Sequence, residues 1–214
     1  MPCKGEKIDI FVYGDSNTWG QIPNINGYSK DAVAKQYPLE QMWWFPLTKN
    51  NNVSVNGVPG RAIANDNPWL EGRNASKTIE ADISGLSADL VIIQLGTNDC
   101  KTKYGLSAEQ IAEQLEVLAC FIQEKTGAKI MIMSPATIVE GNKITDKFYA
   151  GGQQKSKDLN KTYKDLAKKH GFMFVSGTDL EVGEDGEHLT AYSHHRLGSR
   201  VVAELEKNFV NEKI

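Results

Sequence analysis

The sequence predicts an α/β/α sandwich built on a parallel sheet, and three observations carry that prediction. Short apolar segments alternate along the chain with longer stretches of helical periodicity. Several of those segments are near-continuously apolar, the pattern of strands covered on both faces. Stretches rich in Gly, Pro and Asn (residues 21–38, 61–75 and 135–154) each follow an apolar segment, which places them at the carboxyl edge of the sheet. Open α/β sheets hold their ligand crevice at that edge.

The five predicted strands are residues 8–14 (IDIFVYG), 53–57 (VSVNG), 90–96 (LVIIQLG), 130–135 (IMIMSP) and 172–175 (FMFV). Between the third and fourth, Ile111, Leu115, Leu118, Ala119 and Ile122 fall on one stripe of a helix. Ser107 and Gln110 form a capping-box pattern at its start, and Gly127 follows its end. Before the fifth strand, Leu159, Tyr163, Leu166 and Ala167 make a second stripe. Lys155, Lys157, Lys161, Lys164, Lys168 and Lys169 lie mostly elsewhere on that helix and read as a solvated face, not a nucleic-acid patch. Leu197, Val201, Leu205 and Phe209 step through a last helix.

A chain of 214 residues fits a single domain, residues 1–214, and is long enough to bury a substantial core. The formal net charge is -3 with no block of like charge, which argues against a binder of nucleic-acid phosphates. The opening Met-Pro-Cys-Lys-Gly-Glu-Lys lacks the pattern of a secretory leader. No apolar run approaches the ~20 residues that span a bilayer. A cytoplasmic protein without membrane contact is expected. Cys3, Cys100 and Cys120 are far apart and form no C-x-x-C, so neither a disulfide framework nor a zinc site is expected.

Four short blocks carry chemistry. The first strand ends in Gly14-Asp15-Ser16-Asn17, which exposes a serine at the sheet edge beside backbone N–H groups that favour developing negative charge. The same tetrapeptide also reads as a turn and helix cap. The second strand runs into Asn56-Gly57-Val58-Pro59-Gly60-Arg61, where Gly60 is placed to offer its N–H to an oxyanion. The third ends in Gly96-Thr97-Asn98-Asp99, and the Asn98 amide can donate without changing charge. Asp185-Gly186-Glu187-His188 precedes the last helix, with a carboxylate three residues before an imidazole. That spacing lets Asp185 fix the tautomer and leaves the other ring nitrogen of His188 to take a serine proton. His170, beside Gly171, reads as a helix C-cap, while His194 and His195 lie inside the last helix without a local acid.

The order Ser, Gly, Asn, Asp-His resembles the GDSL/SGNH hydrolase family, over residues 14–198. Finer matches are similar to its arylesterase branch: Thr18-Trp19-Gly20 after the serine, Arg61 after the glycine, Gly151-Gly152 leading into Gln154-Lys155, and Gly186 before His188. Asn17 departs from the namesake leucine; it leaves the nucleophile intact and counts against a preference for long acyl chains. The resemblance implies Ser16 as nucleophile, His188 as general base and Asp185 as its orienting acid. It implies an oxyanion hole of the Ser16 and Gly60 N–H groups and the Asn98 side chain. It further implies five parallel strands in a flavodoxin-like order, and ester hydrolysis through an acyl-enzyme without metal or organic cofactor.

Trp19 either walls a small acyl pocket or packs in the core under the sheet edge. The partner expected is a small-molecule ester. A carbohydrate deacetylase uses the same residues, and Trp43, Trp44 and Trp69 are then candidates to stack on sugars, although Trp43-Trp44 in a helical stretch reads more simply as core. An acyltransferase differs only in what replaces water. A non-catalytic binding module on the same scaffold is the alternative from another class; such a module usually lacks one of the site groups, and none is missing here. Residues 21–38 and 135–154 are candidates for a lid or a subunit interface, and a homo-oligomer stays open by analogy alone.

Overall fold

Each of the five apolar segments forms a strand in the computed structural model, which describes residues 7–27, 33–67 and 70–210. The strands are β1 (Asp9–Gly14), β2 (Asn52–Gly57), β3 (Leu90–Gln94), β4 (Lys129–Met133) and β5 (Met173–Val175). They pair in parallel in the order β2-β1-β3-β4-β5. This is the flavodoxin-like order, and the helices lie on both faces.

The near-continuous apolar runs have a physical reason. Ile10, Val12, Leu90, Ile92, Met131 and Met133 point into one core, shared with Trp43, Leu47, Leu197, Val201 and Leu205. Their neighbours Phe11, Tyr13, Val91, Ile93, Ile130 and Ile132 point into the other, shared with Ile79, Ile111, Leu115, Leu159 and Tyr163. Both faces are dry, so both sets must be apolar. Each such side chain contributes about 1.5–3 kcal/mol, so an Ile92→Ala change opens a cavity costing about 2–5 kcal/mol. Among the described residues β2 pairs only with β1, and its half-exposed residues explain why VSVNG is the weakest of the five patterns.

Helices α1 (Ser16–Trp19), α2 (Ala75–Asp82), α3 (Ala108–Thr126), α4 (Thr145–Phe148), α5 (Gly152–His170) and α6 (Ala191–Val210) fill the connections. The capping box of α3 forms in both directions, Gln110 N–H to Ser107 Oγ at 3.2 Å and Ser107 N–H to Gln110 Oε1 at 2.9 Å. Gly127 closes the helix by donating to Gln123. Lys157, Lys161, Lys164, Lys168 and Lys169 of α5 are exposed, as a solvated face requires. His170 does not cap with its ring. Gly171 takes that place, and the imidazole bonds Glu116 of α3 at 2.6 Å. The Trp43-Trp44 stretch is not an α-helix either. It is a turn between 3-10 turns at Leu39–Gln41 and Phe45–Lys49, because Pro46 has no N–H to continue a helical ladder.

Cys100 and Cys120 form no disulfide, and Cys3 lies outside the described residues, as do Trp69 and the side chain of Phe209. Among the described residues no helix is long and apolar enough to cross a membrane. With β1 between β2 and β3, the chain reverses its winding at the carboxyl ends of β1 and β3, where a crevice opens. Ser16 follows one of those ends and Asn98 the other.

Candidate active site

The turn after β1 is held from three sides. The Asp15 carboxylate accepts the Asn17 N–H at 2.9 Å, and its carbonyl accepts the Trp19 N–H at 2.9 Å. Thr18 Oγ1 and Trp43 Nε1 both donate to Gln94 Oε1, at 2.6 and 2.9 Å, which ties the turn to the end of β3. Gly57 of β2 lies so close that a Cβ there would stand 2.5 Å from the Trp19 nitrogen. Only glycine allows that approach. The turn thus presents Ser16, 4% exposed, at the crevice.

The loop before α6 brings His188 to it. His188 Nε2 lies 2.9 Å from Ser16 Oγ, and His188 Nδ1 lies 2.9 Å from Asp185 Oδ2. A carboxylate accepts only, so Nδ1 carries the proton and Nε2 keeps its lone pair for the serine hydroxyl. Asp185 Oδ1 accepts the N–H groups of His188 and Glu187, at 3.0 and 3.2 Å, and Oδ2 also accepts the Asn24 N–H at 2.8 Å. Burial works against the Asp185 carboxylate, but the hydrogen bonds and charge of His188 hold its pKa below the ordinary value. Burial likewise disfavours an imidazolium at His188, yet Glu187 and Asp185 outweigh it and raise its pKa above 6.5.

Asn17 has a role here that its place beside the serine does not reveal. Its Nδ2 donates to the Glu187 carbonyl at 3.2 Å, and its Oδ1 accepts the Leu189 N–H at 2.9 Å. One buried amide thus grips the backbone on either side of His188. A leucine there can make neither bond.

Across the crevice, Gly60 has φ +82°, a left-handed conformation that glycine adopts without strain. Arg61 anchors this loop. Its buried guanidinium donates to the Gly14 carbonyl at 2.9 Å and the Asn56 carbonyl at 2.7 Å, and lies 4.0 Å over the Tyr13 ring. The Arg61 carbonyl accepts Asn98 Nδ2 at 3.1 Å, using one of its two hydrogens. Asp99 Oδ1 accepts the Ile63 N–H at 2.9 Å, joining the loops after β2 and β3. No described carbonyl accepts the Ser16 or Gly60 N–H. Burial pushes the carboxyls of Asp15 and Asp99 up to about 6 each.

The structure therefore gathers Ser16, Asp185 and His188 into one hydrogen-bonded line, with Gly60 and Asn98 in the loops that flank β1. Trp19 is half-buried beside them, its carbonyl bonded by Gln36. Trp43 is fully buried in the core and Trp44 donates to the Thr18 carbonyl at 3.0 Å, so both indoles brace the Ser16 turn. Two groups escape sequence reasoning altogether: buried Lys101, which donates to Asn98 Oδ1 at 2.8 Å, and buried Glu187, which accepts the Tyr149 hydroxyl. An amphipathic side chain in a loop carries no sign of being buried. His195 is exposed, and His194 is buried against Trp43.

A family model described as GDSL-like Lipase/Acylhydrolase matches residues 12–197. Among solved structures, Est24, a carbohydrate acetylesterase from Sinorhizobium meliloti, is 27% identical with a TM-score of 0.84, over 94% of this chain and 99% of that one. A putative arylesterase from Agrobacterium tumefaciens str. C58 is 26% identical with a TM-score of 0.77, again over 94% and 99%. The inhibitor-bound aryl esterase of M. smegmatis has a TM-score of 0.84 at 24% identity over 94% and 99%, a likeness of fold. A search of curated proteins gives no match.

Proposed function

The chain belongs to the GDSL-like lipase/acylhydrolase family, and from that premise we propose that it is a serine esterase for small, acetyl-like acyl groups. The observation that supports this most is the unbroken line Ser16 Oγ, His188 Nε2, His188 Nδ1 and Asp185 Oδ2, with both contacts at 2.9 Å.

In this reading His188 takes the Ser16 proton as the oxygen attacks the ester carbonyl. Charge on the carbonyl oxygen is met by the Ser16 and Gly60 N–H groups and by the second hydrogen of Asn98 Nδ2. Removing one such donor typically costs about 10²–10³ in kcat. His188 then gives its proton to the leaving alkoxide, and the acyl-enzyme remains on Ser16. Water, deprotonated by the same imidazole, attacks the acyl carbonyl, and the acid leaves as His188 returns that proton to Ser16 Oγ. Asp185 holds the ring and steadies its positive charge without taking the proton.

An organophosphate test decides between enzyme and scaffold. Mass analysis is expected to find one adduct, on Ser16, and Ser16→Ala is expected to lose nearly all turnover of an aryl acetate. Wild-type turnover in that variant would falsify the assignment. If Trp19 bounds the acyl side, acetyl and propionyl esters are hydrolysed faster than octanoyl esters; a flat chain-length profile removes that role. The likeness to Est24 favours one second reading, removal of acetyl groups from carbohydrates by the same residues. Kinetics on acetylated sugars beside phenyl acetate separate the two.

A further inference from the structure

We infer that Lys101 is a positioning residue of the oxyanion site: it sets the Asn98 carboxamide so that nitrogen, and not oxygen, faces the substrate's carbonyl oxygen. This rests on the reading of Asn98 as an oxyanion donor.

A carboxamide is nearly symmetric in shape, and a half-turn exchanges a donor for an acceptor. At an oxyanion hole that exchange turns attraction into repulsion. Two contacts of opposite polarity prevent it here. Lys101 Nζ donates to Asn98 Oδ1 at 2.8 Å, while the Arg61 carbonyl accepts Asn98 Nδ2 at 3.1 Å. Turning the amide over sets an ammonium against an NH₂ group and a carbonyl against a carbonyl. The Lys101 bond is charge-assisted, which makes it the stronger of the two. It also draws electron density toward Oδ1, leaving the Nδ2 hydrogens more positive and better donors.

The backbone makes the contact local. Asn98–Cys100 is a 3-10 turn, and the Lys101 N–H bonds the Asn98 carbonyl at 3.2 Å. Residues i and i+3 eclipse in that geometry, so the lysine folds back over the first side chain of its own turn. Lys101 is 7% exposed, and an ammonium in such a place needs nearby charge. Burial lowers its proton affinity, and the carboxylates of Glu187, Asp15 and Asp99 act against that. Its Nζ also lies 5.5 Å from the Tyr149 ring centre, and Tyr149 donates to Glu187 beside His188. The oxyanion side and the base loop are thereby linked through one cation.

The test is a double-mutant cycle on an aryl acetate, with turnover counted per organophosphate-titrated site so that inactive protein does not enter. Lys101→Met is expected to lower kcat about tenfold or more with little change in KM, because the contact acts through a donor used in the transition state. In an Asn98→Ala background the same change is expected to have almost no effect. Equal losses in both backgrounds overturn the inference, as does a loss confined to KM. If Asn98→Ala itself leaves kcat unchanged, the oxyanion reading of Asn98 has failed, and the inference falls with it. Where the single variant does not fold, Lys101→Met/Glu187→Gln, which removes both charges, serves when its kcat on the pH plateau is read against Glu187→Gln alone, with the same expected and overturning outcomes.

Discussion

Two histidines six positions apart, both buried, differ in almost everything else. His188 is 3% exposed and His194 0%. His188 stands between Ser16 and Asp185 with Glu187 beside it, and its pKa is raised. His194 accepts a long 3.4 Å bond from the Trp43 N–H, meets the Tyr37 ring edge-on, and has no described partner for Nε2. Burial pushes its pKa down to about 4. Burial by itself makes a histidine that refuses a proton; carboxylates within reach make one that accepts it.

The largest way to break this contrast is Asp185→Asn, which gives His188 a neutral neighbour. We expect a fall of about 10⁴ in kcat with the fold retained, measured on an aryl acetate beside circular dichroism. A loss of less than tenfold would leave Asp185 a structural role only.

Next comes acid stability. Between pH 6.5 and 4 the unfolded chain protonates at His194 while the folded chain does not, so the stability contributed by the neutral ring is lost as pH falls, on the order of 3 kcal/mol. Asp15 and Asp99 act in the opposite sense. They bind protons more readily when folded, so protonation favours the fold as pH drops through about 6. Denaturation of wild type and His194→Met at several pH values isolates the histidine: the difference between them must move against wild type with acid. A constant difference removes the effect.

Asn17→Leu tests the grip on the His188 loop. Loss of both backbone bonds lets His188 drift, and a shift of about 1 Å costs about 10² in rate. The change should appear in kcat without loss of thermal stability on the same scale; an unchanged kcat means Asp185 positions the ring unaided.

The smallest effect concerns Glu187. Its charge favours the imidazolium, so Glu187→Gln lowers the His188 pKa. In the proposed mechanism the base must be neutral to work, so the rising limb of kcat/KM against pH moves to lower pH. A limb that stays in place dissociates Glu187 from the histidine.

What the sequence made legible divides by range. Strand ends, the Ser107–Gln110 box and the layering of the helices depend on neighbours a few residues away, and periodicity reports those. Asp185 and His188 belong to the same class because one turn holds both. Asn17 was visible only as a departure from leucine, since its partners are Glu187 and Leu189 at the far end of the chain. Trp43 and Gln94 meet, and Lys101 and Glu187 come within electrostatic reach, only once the sheet exists. No spacing rule reports a contact whose partners the fold itself brings together.

The bond from the Asn24 N–H to Asp185 has a consequence for divergence. Segment 21–27 lies a few residues beyond the Ser16 turn, and it supplies a donor to the carboxylate that in the proposed mechanism orients His188. In that reading, mutations that reshape this segment for a different substrate alter the basicity of His188 as well. A change of specificity reached through this loop survives selection only if the new backbone still offers an N–H at that place, so the two properties drift together.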